Sequence, residues 1–361
     1  MKKIIVNEML KYPKSKALDI LKLIYQNEFG CGHLVKDESY CLQMLEDELK
    51  TVTESADALF EPIGNGYSRL NLSAAKKAKI PASLIARLFY LSANRCDGEA
   101  KGFLENVKQL KILCEQNELP FSMPEIESFI NEWTKSGCKP FSHSDKYRES
   151  YNPAYRVILS KYENIIMPMS DIVNKSSNKN IVVAIDGRCG SGKTTLAAEM
   201  KEVLKCNVIN IDDFFLPPNL RTEKRLNEPG GNIHYERFTD EVIKGLKSGK
   251  PFEYGVFDCR EMSIVKTEVV KPSTVTIVEG AYSLNPHFGD IYDLKIFCDI
   301  DPDLQKTRII NRDGVEMYKD FESKWIPMEE VYFKAFNIND KCDYVIKANQ
   351  ELKNKFLSLR A

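Results

Sequence analysis

The chain has 361 residues, 43% of them hydrophobic and 29% charged, with a formal net charge of −1. That length suits two domains, the composition excludes a disordered chain, and the near-zero charge gives no general pull toward nucleic acid or an anionic membrane. Ten scattered cysteines with no CxxC pair argue against a spacing-defined zinc site or a disulfide scaffold. The first residues lack the apolar core of a secretory leader, and no run reaches eighteen apolar residues, so a cytoplasmic protein is expected. The sequence leaves open whether the protein is a homo-oligomer.

From the start of the chain, apolar residues recur at helical spacing over residues 17–25, 40–49, 83–92 and 103–114. Ser122-Met123-Pro124-Glu125 reads as a helix start with proline in its first turn, and residues 153–162 read as a further helix. Residues 1–170 are thus expected to form a mostly α-helical domain. Two glycine-rich segments in it, 26–34 and 61–69, read as polar loops. Cys31 and His33 could pair as metal ligands or as a nucleophile and base, but no further ligands stand at motif spacing, and two structural turns are the simpler reading. The polar stretch 171–180 reads as a linker.

The pattern then changes. Short β-branched runs at 181–185, 208–211, 275–278, 294–298 and 344–346 lack polar alternation, as strands buried on both faces do. Helical stretches at 194–204 and 235–246 separate some of them. Residues 181–361 are therefore expected to form an α/β domain with a parallel sheet and helices on both faces.

The first of these runs leads into Gly187, Arg188, Cys189, Gly190, Ser191, Gly192, Lys193 and Thr194, followed by Thr195 and a helix former run. This is GxxxxGK[ST] between a strand and a helix, the arrangement of a P-loop nucleoside triphosphate site. Glycines let backbone N–H groups turn toward phosphate oxygens, and the helix N-terminus adds its positive end. Lys193 would reach the β and γ phosphates, and the Thr194 hydroxyl would bind Mg²⁺. Cys189 reads as a tolerated loop residue rather than a nucleophile. ATP is the expected nucleotide, with GTP the alternative.

The second run ends in Asp212-Asp213 and the third in Glu279-Gly280. Strand C-termini face the ligand crevice of a parallel sheet. One of the two aspartates could accept the proton of an attacking hydroxyl, and Glu279 could hold Mg²⁺ through water. An unpaired buried glutamate would otherwise be costly.

Together GRCGSGKT, IDDFF and TIVEGAY resemble the uridine kinase-like and phosphoribulokinase-like branch of the P-loop kinases over about residues 180–350. That branch includes uridine/cytidine, pantothenate and glycerate kinases. The resemblance implies a five-stranded parallel sheet and transfer of a γ-phosphoryl group to a substrate hydroxyl. It places the base on Asp213, or on Asp212 if the register slips, and the acidic strand-end residue on Glu279. It also implies an arginine-bearing lid after the fourth strand, where Arg308 and Arg312 stand four apart. An acceptor-binding region would draw on Asp212, Arg221, Arg225, His234, Tyr235 and Arg237, and on Asp258 and Arg260. The family's tyrosine–aspartate–histidine motif is represented by Phe257-Asp258 without the histidine. That departure weighs against a pyrimidine nucleoside, and the clustered arginines suit an acidic or phosphorylated acceptor. The helical domain has no recognised role. A nucleotide-sensing regulator whose helical domain grips a partner is the competing reading.

Overall fold

The computed structural model describes residues 1–32, 35, 37–95 and 98–348. His33 of the expected Cys31–His33 pair lies outside the described residues. The chain divides into two compact units at Ile166/Met167.

The first unit is mostly helical. Its helices are α1 Lys2–Lys11, α2 Ala17–Phe29, α3 Glu38–Thr51, α4 Leu72–Lys77, α5 Ala82–Ala93, α6 Ala100–Glu115, α7 Met123–Lys135 and α8 Asp145–Tyr151. The apolar faces of α1, α2, α6 and α7 meet in one core, where Ile20, Ile24, Phe103, Leu110 and Ile126 are fully buried. Each such side chain contributes about 1.5–3 kcal/mol relative to exposure.

The unit also holds an antiparallel sheet in the order β1-β2-β3, with β1 Phe60–Gly64, β2 Tyr67–Asn71 and β3 Tyr155–Leu159. Two sequence expectations are corrected here. The segment 61–69 is a hairpin, because Asn65 and Gly66 both take positive φ at its turn. Residues 155–159 are a strand rather than helix, since the backbone pairs with β2 and Val157 and Ile158 are both buried, one on each face.

The expected linker is also shorter than its composition suggested. Helix α9, Ile166–Ser176, fills most of it. Ile166, Met169 and Ile172 recur three apart and are fully buried, so the apolar face outweighs the polar residues that follow.

The second unit is a five-stranded, wholly parallel sheet. Its strands are β4 Ile181–Gly187, β5 Asn207–Asn210, β8 Val275–Glu279, β9 Leu294–Asp299 and β10 Tyr344–Lys347, in the order β10-β9-β4-β8-β5. All five follow the β-branched runs of the sequence. Helix α10, Lys193–Leu204, crosses from β4 to β5, and α14, Pro302–Asp313, follows β9. A short α11, Glu223–Leu226, precedes a continuous helical stretch made of α12 Tyr235–Phe238, a π turn at Thr239–Ile243 and α13 Lys244–Ser248. A separate hairpin, β6 Phe252–Asp258 with β7 Ser263–Val270, stands outside the main sheet. Helices α15 Val315–Asp320 and α16 Ile326–Phe336 precede the last strand.

Gly187 marks where β4 turns into the phosphate loop. Its φ is +135°, and a Cβ there would lie 2.1 Å from the Cys298 carbonyl oxygen of β9. Because that neighbour is backbone inside the sheet, it cannot swing aside. Gly187→Ala is expected to destabilise this unit by roughly 2–4 kcal/mol, read as a lower urea midpoint; an unchanged midpoint would mean the turn is free to relax.

Candidate active site

The sheet order assembles the site. Strands β4, β8 and β5 lie side by side, with Ile185 opposite Glu279 and Glu279 opposite Asn210. The phosphate loop, Glu279 and the Asp212-Asp213 pair therefore leave the same edge of the sheet from three adjacent strands. Their separation in sequence is erased by register alone.

The loop runs from Arg188 to Gly192 and enters α10 at Lys193. Gly190 and Gly192 take φ of +72° and +102°, the left-handed region that frees backbone N–H groups to converge on an anion. The buried Lys193 donates through Nζ to the carbonyls of Gly187, at 2.8 Å, and Arg188, at 3.0 Å. Its ammonium is thus folded over the loop it would serve. The Ser191 hydroxyl is buried within the loop with no hydrogen-bond partner, an orphan that a phosphate oxygen would satisfy. Thr194 and Thr195 are exposed at the first turn of α10.

The Thr194 hydroxyl donates to Glu279 Oε2 at 3.4 Å. These two oxygen ligands fit Mg²⁺, which keeps several waters and takes only a few ligands from protein. Glu279 is 2% exposed. Burial, helped by the Asp212 charge and opposed by Lys193, pushes its carboxyl up to about 7. The protonated acid is a poor ligand, so metal binding must displace a proton. The Mg²⁺ affinity of the nucleotide-free protein should therefore fall by about tenfold per pH unit below 7, measured by calorimetry. Equal affinity at pH 5.5 and 8 would remove Glu279 from the metal site.

The structure separates the two aspartates that the sequence could not. Asp213 is half-buried and accepts a hydrogen bond from the Tyr254 hydroxyl at 3.3 Å. Burial pushes its carboxyl up to about 6. Asp212 is exposed and lies by Gly280, where an added Cβ would come within 3.4 Å of its Oδ1. Desolvation by the surrounding protein pushes the Asp212 carboxyl up, opposed by Lys193 and Arg312, from the phosphate loop and the end of α14. Asp213 instead faces β6 and β7 through Tyr254 and Lys266.

The lid arginines are unequal. Arg308 donates through Nη1 to the carbonyls of Gly190 at 3.1 Å and Ser191 at 3.2 Å, so it sits on the phosphate loop. Arg312 is exposed and paired with its neighbour Asp313. Arg188, expected among the nucleotide-binding residues, turns its side chain away to pair with Asp299 and Glu330. Cys189 is pushed up to about 12 by burial and Glu329, which leaves a neutral thiol and no nucleophile.

Much of the expected acceptor cluster is internally bonded. Arg225 holds Glu236 through two contacts of 2.8 and 2.9 Å, donates to Gly231 and Ile233 carbonyls, and lies 3.5 Å above the Tyr235 ring. Tyr235 stacks on its other side against His287 at 3.8 Å. Arg237 donates to the carbonyls of Gly255 and Asp213 and covers Phe214. It ties β6 to the aspartate pair instead of facing solvent. His234 is half-buried, 4.0 Å from Glu236. Arg221 donates to Leu216 O at 2.7 Å, and its charge reaches Cys259 near Asp212. Asp258 Oδ1 caps the β6–β7 turn by accepting from the backbone of Arg260 at 2.6 Å, with the Arg260 side chain exposed.

Three groups near the loop escaped the sequence reading. Asp186, the last side chain of β4, is fully buried and accepts from the backbone N–H groups of Gly187, Tyr282 and Leu284 and from the Tyr332 hydroxyl. It thereby fixes both the loop entry and the corner after Glu279, where Tyr282 takes an unusual φ of +75°. Glu329 of α16 accepts from the Cys189 N–H at 2.9 Å. The signal for Asp186 was present: a carboxylate at the end of an otherwise apolar strand needs donors. Glu329 and Tyr332 gave no signal, since the segment reads only as a helix start.

A phosphate loop, two strand-end carboxylates and an arginine helix over a five-stranded parallel sheet define the fold class of the P-loop kinases. The chain belongs to the phosphoribulokinase / uridine kinase family, whose model matches residues 182–334. A uridine kinase of Staphylococcus epidermidis is 30% identical over 156 residues, which cover 40% of this chain and 74% of that protein. Uridine kinase-like protein 5 of Arabidopsis thaliana is 30% identical over 170 residues, but the match spans 43% of this chain and only 36% of that relative's length. Among solved structures, one described as a possible uridine kinase from Bacillus stearothermophilus covers 52% of this chain and 100% of its own, with a TM-score of 0.42 and 18% identity.

Proposed function

We propose that this protein is an ATP- and Mg²⁺-dependent kinase that transfers the γ-phosphoryl group to a hydroxyl of a small molecule. The observation that carries the reading is the convergence of Lys193, Thr194, Glu279 and Asp212 at one sheet edge. The loop N–H groups and Lys193 would bind the phosphates, and Thr194 and Glu279 would hold the metal. Bound Mg²⁺ supplies charge neutralisation on the phosphate oxygens. Asp212, open toward the loop, would take the acceptor's proton. Asp213 would position the hairpin through Tyr254, which reverses the order the resemblance suggested. Arg308 would stabilise the migrating phosphoryl from its place on the loop, with Arg312 behind it.

The acceptor side supports a modest substrate with few formal charges. Arg225 and Arg237 are committed to internal bonds, so among the candidate arginines the case for a strongly acidic acceptor rests on Arg260 and on the part of Arg221 not bonded to Leu216 O. A nucleoside or a singly acidic metabolite fits that supply of cations. Among the described residues no helix is long and apolar enough to cross a membrane, in keeping with a cytoplasmic small-molecule enzyme.

The test is ADP release by the full-length protein with ATP and Mg²⁺ against a panel of nucleosides, sugar acids, pantothenate-like compounds and phosphorylated sugars. Acceptor-dependent ADP supports the kinase and names its substrate class. Tight ATP binding without acceptor-dependent turnover would favour the nucleotide-sensing regulator instead.

A further inference from the structure

The β6–β7 hairpin is packed onto the second unit mainly through β6. Tyr254 of β6 is buried in the unit's core, with Phe252 and Val256 against it. Strand β7 is exposed from Ser263 to Thr267 and again at Val269. Three of these residues are β-branched and apolar: Ile264, Val265 and Val269, at 53%, 48% and 56% exposure. Such a cluster on an exposed strand marks a surface suited to a contact. The two strands form a sheet of their own, so β7 has one edge that no other strand pairs.

The outer edge of β6 is occupied by side chains, and this fixes the phase of the hairpin. The Gly255 N–H donates to Glu241 at 2.9 Å, and the Gly255 carbonyl accepts from Arg237 at 2.9 Å. Gly255 stands opposite Thr267. Because both backbone groups of Gly255 turn away from β7, the two residues form a non-hydrogen-bonded pair. The N–H and C=O of Thr267 therefore point away from β6, along the free edge of β7. Among the described residues no backbone group bonds to them.

We propose that this edge pairs with β7 of a second copy of the chain, antiparallel about a two-fold axis at Thr267, to give one four-stranded sheet across a homodimer. Residues opposite each other must share the same backbone phase, so the axis of a symmetric pairing passes through a residue. An axis at Lys266 or at Glu268 would set like charges directly opposite, which is destabilising. An axis at Thr267 sets Lys266 of each copy opposite Glu268 of the other and Val269 opposite Val265. It also lets Thr267 exchange its free N–H and C=O with its own counterpart. The charge pattern and the backbone phase thus select the same register independently. In the single chain Lys266 and Glu268 can pair only with each other, at 2.5 Å on side chains 60% and 46% exposed, a contact worth little in water. A strand that complements its own reverse in charge and in apolar positions is what an isologous contact requires. The contact uses no residue of the phosphate loop and stands independently of the kinase reading.

Sedimentation equilibrium of the full-length protein tests this. The wild type should be dimeric at about 100 μM. Lys266→Glu and Glu268→Lys should each weaken the dimer roughly tenfold or more, because each variant by itself meets like charge at both positions. Mixed in equal amounts, the two variants should dimerise with each other as tightly as the wild type does, since acid then meets base at both positions. Thr267→Pro removes an N–H that β6 does not use and should give monomers with the wild-type urea midpoint. Should that variant misfold, the mixed charge variants still decide. A dimer that survives both charge variants, or charge variants that stay apart when mixed, would overturn the proposal. A wild type that is monomeric at that concentration would overturn it in favour of an extended segment of another protein on the same edge.

Discussion

Asp212→Asn should lower turnover by about 10²–10⁴-fold, the usual contribution of a positioned general base, while leaving ATP affinity nearly intact. The amide keeps the size of the side chain and removes only its capacity to accept a proton. Asp212 is the sharper choice because it is exposed by Gly280 and acted on by Lys193 and Arg312, the charges that surround a migrating phosphoryl group. Asp213→Asn should cost much less, about tenfold or under, because Asp213 is engaged with Tyr254. Its effect should appear mainly in the acceptor KM. Steady-state kinetics of both variants with the acceptor found by the panel decides the matter. The opposite ranking would return the base to Asp213 and make Asp212 a charge-balancing neighbour of Glu279.

Lys193→Ala should reduce kcat/KM by about 10²–10³-fold, or about 3 kcal/mol, comparable with removing one preorganised donor from a transition state. The folded chain should tolerate the change. Among the described residues Lys193 donates only to the Gly187 and Arg188 carbonyls, so its loss removes two hydrogen bonds within the loop and no ion pair. The expected signature is lost activity with nearly unchanged thermal stability. A large fall in melting temperature with modest loss of rate would show that Lys193 chiefly holds the loop together.

Parts of this site were legible because their signals are local. The phosphate loop needs glycines, a lysine and a hydroxyl at fixed offsets, and strand and helix must flank it, so one contiguous stretch carries the whole requirement. Glu279 and the Asp212-Asp213 pair were legible because each follows a short β-branched run in a strand–helix alternation. The internal bonds of the acceptor arginines were hidden for the converse reason. A guanidinium near a binding loop reads as a ligand contact, yet Arg225 meets Glu236 eleven residues on, and Arg237 meets the carbonyls of Gly255 and Asp213. Nothing in a linear pattern shows that such partners are within reach. The strand at Tyr155–Leu159 was misread because its apolar residues are too few to fix a period, and pairing with β2 decided it.

By itself, the sequence determined the class of the second unit, its phosphate loop and the acidic residues at its strand ends, since these follow from backbone periodicity and from chemistry carried on adjacent residues. Only the tertiary structure showed that Asp213 is engaged by Tyr254 of β6, that Arg308 rather than Arg312 touches the phosphate loop, and that Asp186 and Tyr332, 146 residues apart, clamp the loop entry. The physical reason is the same in each case: whether a charge is satisfied depends on what lies within about 3 Å in space, and sheet order and packing set that distance between residues the chain keeps far apart.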